Sequence, residues 1–151
     1  MYRKVKKGLN ISNLINKSTF ALNEKFYLES IFLSHAIIEE RLRSLLLKVN
    51  PTLGGRNKIK QCIKKINKYI NNEEYLFNIY FSNDETNDLL KEILTWKGKR
   101  DNLIHEFEKN YDLINDNNKL KNIANEGDNL MRSLNTIVMR WKKNALKQKV
   151  I

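Results

Sequence analysis

Residues 19–49, TFALNEKFYLESIFLSHAIIEERLRSLLLKV, decide the fold. Leu28, Ile31, His35, Ile38, Leu42, Leu45 and Val49 recur in alternating steps of three and four, the spacing that lines one face of an α-helix. One long helix is predicted from about Thr19 to Val49. Asn50-Pro51-Thr52-Leu53-Gly54-Gly55 stops it, because Pro51 disfavours helix in the residue before it and two glycines lose much backbone freedom in a helix. Ile59, Cys62, Ile63, Ile66 and Ile70 then repeat at helical spacing among Lys58, Lys60, Lys64, Lys65 and Lys68, so a second amphipathic helix runs to Asn71-Asn72. The stretch from Tyr75 to Phe81 has strand-like composition but no partner strand, and it reads as an irregular or short helical packing segment. Asn83 or Asp84 is placed to cap a further helix through Leu89, Leu90, Ile93, Leu94 and Trp96, with a predicted kink or break at Gly98 before Leu103, Ile104 and Phe107. After the polar link from Asn115 to Asn118, Leu120, Ile123, Gly127, Leu130, Leu134, Ile137 and Trp141 mark a long C-terminal helix. Gly127 on that seam reads either as a point where another helix approaches closely or as an isolated glycine that the helix tolerates at about 1 kcal/mol. The sum is an all-α chain with three or four major helices and short links.

Length and composition agree. The 151 residues suit a single domain, 1–151, with one hydrophobic core. Apolar residues at 41%, charged residues at 30%, 5 Gly and 1 Pro argue against collagen, extended disorder and a turn-rich β-sandwich. A lone cysteine, Cys62, excludes an intramolecular disulfide framework and a cysteine-built zinc cage, and is compatible with a reducing compartment. No apolar run approaches the roughly 18 residues of a membrane span. The basic start, Arg3 to Lys7, leads into Asn10, Asn13 and Asn16 rather than an apolar stretch, so a cytoplasmic protein without a signal peptide or membrane contact is expected.

Lys and Arg number 28 against 17 Asp and Glu, a net charge of +11 that biases a small domain toward nucleic acid. The 22 Asn, and 21 Lys against only 7 Arg, are also what AT-rich coding imposes, so a generally solvated surface stands beside that reading. There is no Walker A loop, G-x-G-x-x-G, H-E-x-x-H or EF-hand loop, which excludes a conventional ATPase, dehydrogenase or zinc protease. Glu39, Glu40, Glu106 and Glu108 read as a solvated acidic face, and no metal or cofactor is expected.

What remains is Lys97-Gly98-Lys99-Arg100-Asp101-Asn102-Leu103-Ile104-His105-Glu106-Phe107. A helix would set Asp101 and His105 at i, i+4 on one face, with Arg100 about 140° round from His105. Phosphodiester cleavage uses these groups. An imidazole, with a usual pKa near about 6.5, can exchange a proton with a ribose 2′-OH. A guanidinium can hold two phosphate oxygens and offset the charge that grows on them. No metal is needed for that chemistry.

Arg100-Asp101-Asn102-Leu103-Ile104-His105 resembles the R-x(4-6)-H motif of HEPN domains, with Asp101 at the position where a polar residue tends to follow the Arg. The long helix from Thr19 to Val49, the helix ending at Trp96 and the long final helix also resemble the HEPN bundle of four to five helices, so the resemblance covers most of the chain. It implies a metal-independent endoribonuclease that dimerises to join two motifs in one cleft, often as a toxin or a phage-defence, abortive-infection effector. Arg100 would then stabilise phosphate, His105 would act as general acid or base, and Asp101 or Asn102 would orient them. Lys97, Lys99 and His35 would contact RNA. Phe107 departs from the pattern of toxins paired with a nucleotidyltransferase antitoxin, where a tyrosine that can be adenylylated often stands at this position. Tyr111 does not fit either. Another protein or an RNA is the more open choice of antitoxin.

His35 lies in the apolar seam with Glu39 one turn later, and reads either as a packed histidine with a hydrogen-bonded partner or as a group beside the His105 cleft. Trp96 and Trp141 read as core or dimer-interface aromatics rather than as base-stacking platforms. Two other functional readings accompany the nuclease: a HEPN-like helical module that binds RNA or protein without cutting, and a structural bundle whose charge reflects codon usage.

Overall fold

A computed structural model describes residues 2–49, 57–70, 83–109 and 117–149, and every regular element among them is a helix. In chain order these are α1 (Tyr2–Asn23), α2 (Tyr27–Val49), α3 (Ile59–Ile70), α4 (Asn83–Lys109) and α5 (Asn117–Lys149). The expected all-α architecture of four to five helices is observed. None of the helices is long and apolar enough to cross a membrane. The segment from Tyr75 to Phe81 and the stop from Asn50 to Gly55 lie outside the described residues.

The predicted continuous helix from Thr19 is interrupted. Lys25 adopts φ 63°, the left-handed conformation that usually calls for glycine. Phe26 N donates to Ala21 O at 2.7 Å and Lys25 N to Leu22 O at 3.1 Å, the paired bonds of a Schellman cap that satisfy carbonyls left open at the end of α1. Gly98, by contrast, breaks nothing. It is exposed within α4, and the helix runs straight through it.

The chain divides into two compact units, Met1–Ile37 with Thr95–Met131 and Ile38–Leu94 with Arg132–Ile151. In the first, Ala21, Ile31, Ile37, Trp96, Leu103, Ala124 and Met131 are buried. Ser18 and Ser34, both fully buried, bring α1 and α2 together with their hydroxyl oxygens 3.5 Å apart. Trp96, 0% exposed, donates its indole Nε1–H to the carbonyl of Ile123 at 2.8 Å. The ring lies where a side chain on Gly127 would be: a Cβ there would sit 2.5 Å from Trp96 Cζ2. Of the two readings of Gly127 the close approach is the one observed, and α4 is the helix that makes it.

The second unit buries the predicted seams of α2 and α3: Ile38, Leu42 and Leu45, then Ile59, Cys62, Ile63 and Ile66. Lys58 N donates to Gln61 Oε1 at 3.1 Å, the backward half of a capping box, and Cys62 N closes the first helical turn on Lys58 O. Asn57 is held from two helices, its carbonyl by Arg43 Nε at 2.7 Å and its side-chain oxygen by Lys65 Nζ at 2.8 Å. Burial pushes the Cys62 thiol up to about 11, which keeps it protonated and unreactive at neutral pH. Ile93, Leu134, Val138 and Trp141 complete this core.

Replacing Gly127 by Ala tests the α4–α5 contact. Alanine would ordinarily gain about 1 kcal/mol of helix propensity. Here the indole is buried and hydrogen-bonded, so it cannot retreat, and overpacking is expected to lower stability by a net ~1–2 kcal/mol in denaturant unfolding. A Gly127→Ala protein as stable as the parent would contradict this packing.

Candidate active site

Because α4 is unbroken, its residues fall at 100° intervals and the motif is spread around a rigid rod. Trp96 and Leu103 face the core, and Arg100 stands at the edge of that buried side with 17% of its side chain exposed. Lys97, Asp101 and His105 form an outward row at i, i+4 and i+8. Lys99, Asn102 and Glu106 form a third row that faces α5.

Arg100 is fixed by two contacts. Its guanidinium carbon lies 5.5 Å from the ring centroid of Phe32, and Nη1 donates to Asp101 Oδ1 at 3.0 Å. Its Nε is buried with no acceptor among the described residues. The other Asp101 oxygen accepts from Lys97 Nζ at 2.7 Å. Partial burial alone would raise the Asp101 carboxyl, but the hydrogen bonds and charges of Lys97 and Arg100 outweigh it and hold it below the usual carboxylate range.

His35 comes from α2 to the same cluster. Its ring centroid is 6.4 Å from that of Trp96, with the planes inclined at 36°. Desolvation first, then the charges of Arg100 and Lys97 against the opposing Asp101, lower its pKa to about 4. It is neutral at pH 7. The contact with the indole fits the packed reading of His35, and its electrostatic coupling to Arg100 fits the reading that places it at the motif.

His105 stands apart. Its side chain is 73% exposed, and Nδ1 lies 3.7 Å from Glu108 Oε2 one turn on. The structure thus unites Arg100, Asp101, Lys97 and His35 and leaves His105 facing solvent; no contact joins Arg100 to His105. The row facing α5 forms an antiparallel ladder, with Lys99 paired to Glu126 at 3.1 Å and Glu106 to Lys119 at 2.8 Å. Asn102, Asn122 and Ile123 lie between these pairs in a groove of about 290 Å³. Phe32 is the contributor that sequence reading missed. It is 45% exposed, and only its position opposite Arg100 on another helix reveals its role. No group of three His, Cys, Asp or Glu able to hold a metal occurs among the described residues.

Comparison of the chain with family models, curated proteins and solved structures gives no match.

The His35 environment predicts a pH dependence. The unfolded chain protonates this residue near pH 6.5 and the folded chain only near 4. Below pH 6.5 the unfolded state therefore binds more protons, and stability falls as pH drops from 6.5 toward 4. Asp101, whose folded carboxyl is held below 3.8, loses its contribution only under that value, so the windows are separate. Denaturant midpoints between pH 7 and 4.5 should decline less steeply in His35→Gln than in the parent. Identical slopes would mean that His35 protonates normally in the fold.

Proposed function

We propose that the chain is a metal-independent endoribonuclease of the HEPN type, acting as a homodimer in a cytoplasmic toxin or phage-defence role under the restraint of a protein or RNA antitoxin. The observation that carries this reading is the content of about one and a half turns of α4: an Arg100–Asp101 ion pair and, at the fifth residue after Arg100, a solvent-facing imidazole. A single copy offers one such imidazole, while transesterification uses a base and an acid. Two copies meeting through this face supply both, and the 140° between Arg100 and His105 then becomes useful, because each guanidinium can address a phosphate approached by the partner's imidazole.

In that arrangement one His105 takes the proton of the ribose 2′-OH. The 2′ oxygen bonds to phosphorus, the bond to the 5′ oxygen breaks, and the other His105 gives its proton to the leaving oxygen. The products are a 2′,3′-cyclic phosphate and a 5′-OH. Arg100 offsets the charge on the non-bridging oxygens, and Asp101 with Phe32 sets the plane of its guanidinium. His35 serves as a positioning residue, a neutral wall that adds no positive charge beside Arg100. Lys99 is 51% exposed in its pair with Glu126; such surface pairs are worth at most about 1 kcal/mol, so a phosphate can replace the carboxylate.

The test is cleavage of mixed structured RNAs in the presence of chelator. His105→Ala removes an exposed side chain and leaves the fold intact, so it should lose about 10²- to 10⁴-fold in rate without losing RNA affinity. Arg100→Ala should also be inactive. If His105→Ala cuts as fast as the parent, the catalytic assignment is wrong. If all three proteins bind RNA and none cuts it, the non-catalytic module is the correct reading, with Arg100 and His105 serving only in their pairs to Asp101 and Glu108.

A further inference from the structure

Of the lysines of α4 on which RNA contact was expected, Lys97 is paired with Asp101, and Lys99 holds Glu126 in an exposed pair that a phosphate can displace. The largest excess of positive charge lies elsewhere. Between Glu40 and Glu73 the sequence carries nine Lys and Arg and no Asp or Glu. The stretches that make up the second unit hold 16 Lys and Arg against 8 Asp and Glu, or +8 of the total +11. AT-rich coding supplies lysine but does not remove glutamate, so codon usage does not account for the missing acids.

Within that stretch α3 is divided cleanly. Ile59, Cys62, Ile63 and Ile66 are buried, and the opposite arc consists of Lys60, Lys64, Lys68, Gln61 and Asn67, all exposed. Lys60, Lys64 and Lys68 follow at i, i+4 and i+8, so about 6 Å of helix separates each from the next. None of the three makes an ion pair with a described residue. Like charges at i, i+4 destabilise a helix, and here they recur with no acid among the described residues paired to them.

We infer that this outward face of α3 binds the phosphate backbone of a nucleic acid. The composition of the arc selects the partner. Interfaces with proteins are depleted in lysine and centred on apolar or aromatic anchors, and membrane-surface helices turn an apolar face to the lipid. The α3 arc exposes neither, and its apolar face is already buried. Lysine ammonium groups and Gln and Asn amides are the side chains that contact phosphates and sugars. Such a surface holds the strand without reading its bases. That the strand is RNA rests on the nuclease reading; the polyanion surface itself does not.

The experiment measures anisotropy of a labelled 20-nucleotide single-stranded RNA across a salt titration, in the His105→Ala background so that the probe survives. Combined Lys60→Gln, Lys64→Gln and Lys68→Gln should weaken binding about 10- to 100-fold at 50 mM salt and lower the slope of log K against log salt by about 2. The matching Lys-to-Arg triple should bind as tightly as the background protein. A control triple, Lys17→Gln, Lys121→Gln and Lys143→Gln, removes the same net charge from other exposed positions and should change both quantities far less. Removing repulsion from an exposed helix face does not threaten the fold, and circular dichroism checks this. Equal losses in the two Gln triples would overturn the inference, as would unchanged binding in the α3 triple. Loss of binding to a polyglutamate peptide or to phosphatidylserine vesicles, with RNA unbound throughout, would assign the face to another partner. Because the readout is binding, a parent that never cuts RNA would overturn the nuclease and leave α3 standing, and an α3 triple that binds normally would do the reverse.

Discussion

The contact between Trp96 and Gly127 is the constraint on which the candidate site depends. A large indole is placed where no other residue type leaves room, and its only polar atom is tied to the backbone of the opposite helix. The direct consequence is register. With Trp96 set against Ile123 and Gly127, the antiparallel run of α4 and α5 brings Lys99 to Glu126 and Glu106 to Lys119. A one-residue slip would separate both ion pairs and drive the indole into a side chain. The C-terminal half of α4 is thereby a rigid support, and the positions of Arg100, Asp101 and His105 follow from it.

On that support electrostatics divide the motif. Arg100 is stacked on Phe32 and paired with Asp101, and the neutral His35 lies close enough to sense its charge. A charged imidazole at His35 would lose hydration on burial and be repelled by Arg100 and Lys97, and together these outweigh the attraction of Asp101. His105 is left to solvent one turn further along. The division separates a guanidinium held by two contacts from an imidazole open to solvent.

Much of the fold was legible from residue spacing because its signals are local. The buried set of α3 is the one its spacing names, and Ile31, Ile38, Leu42 and Leu45 occupy the seam read for α2. The break before Tyr27 was not legible, because a lysine rather than a glycine holds the left-handed position at Lys25. Gly98 misled in the opposite sense: a single exposed glycine is carried by the helix on either side of it. Of the candidate site, the residues of α4 could be named from sequence, but their directions could not. Whether Arg100 turns toward His105 or toward Phe32 depends on which face of α2 meets α4, and Lys99 finds its partner 27 residues away. The exposed pairing of Lys99 with Glu126 is likewise a tertiary fact.

The proposed function requires α4 to support cleavage through the ribose 2′-OH, with His105 moving protons and Arg100 holding phosphate. Mass spectrometry of the ends left on a defined RNA, cut in the presence of chelator, tests it most directly. Transfer to the 2′ oxygen leaves a 2′,3′-cyclic phosphate or its 3′-phosphate hydrolysis product, opposite a 5′-OH. Fragments ending in 3′-OH and 5′-phosphate would show attack by water from the other side of the phosphorus and would contradict it.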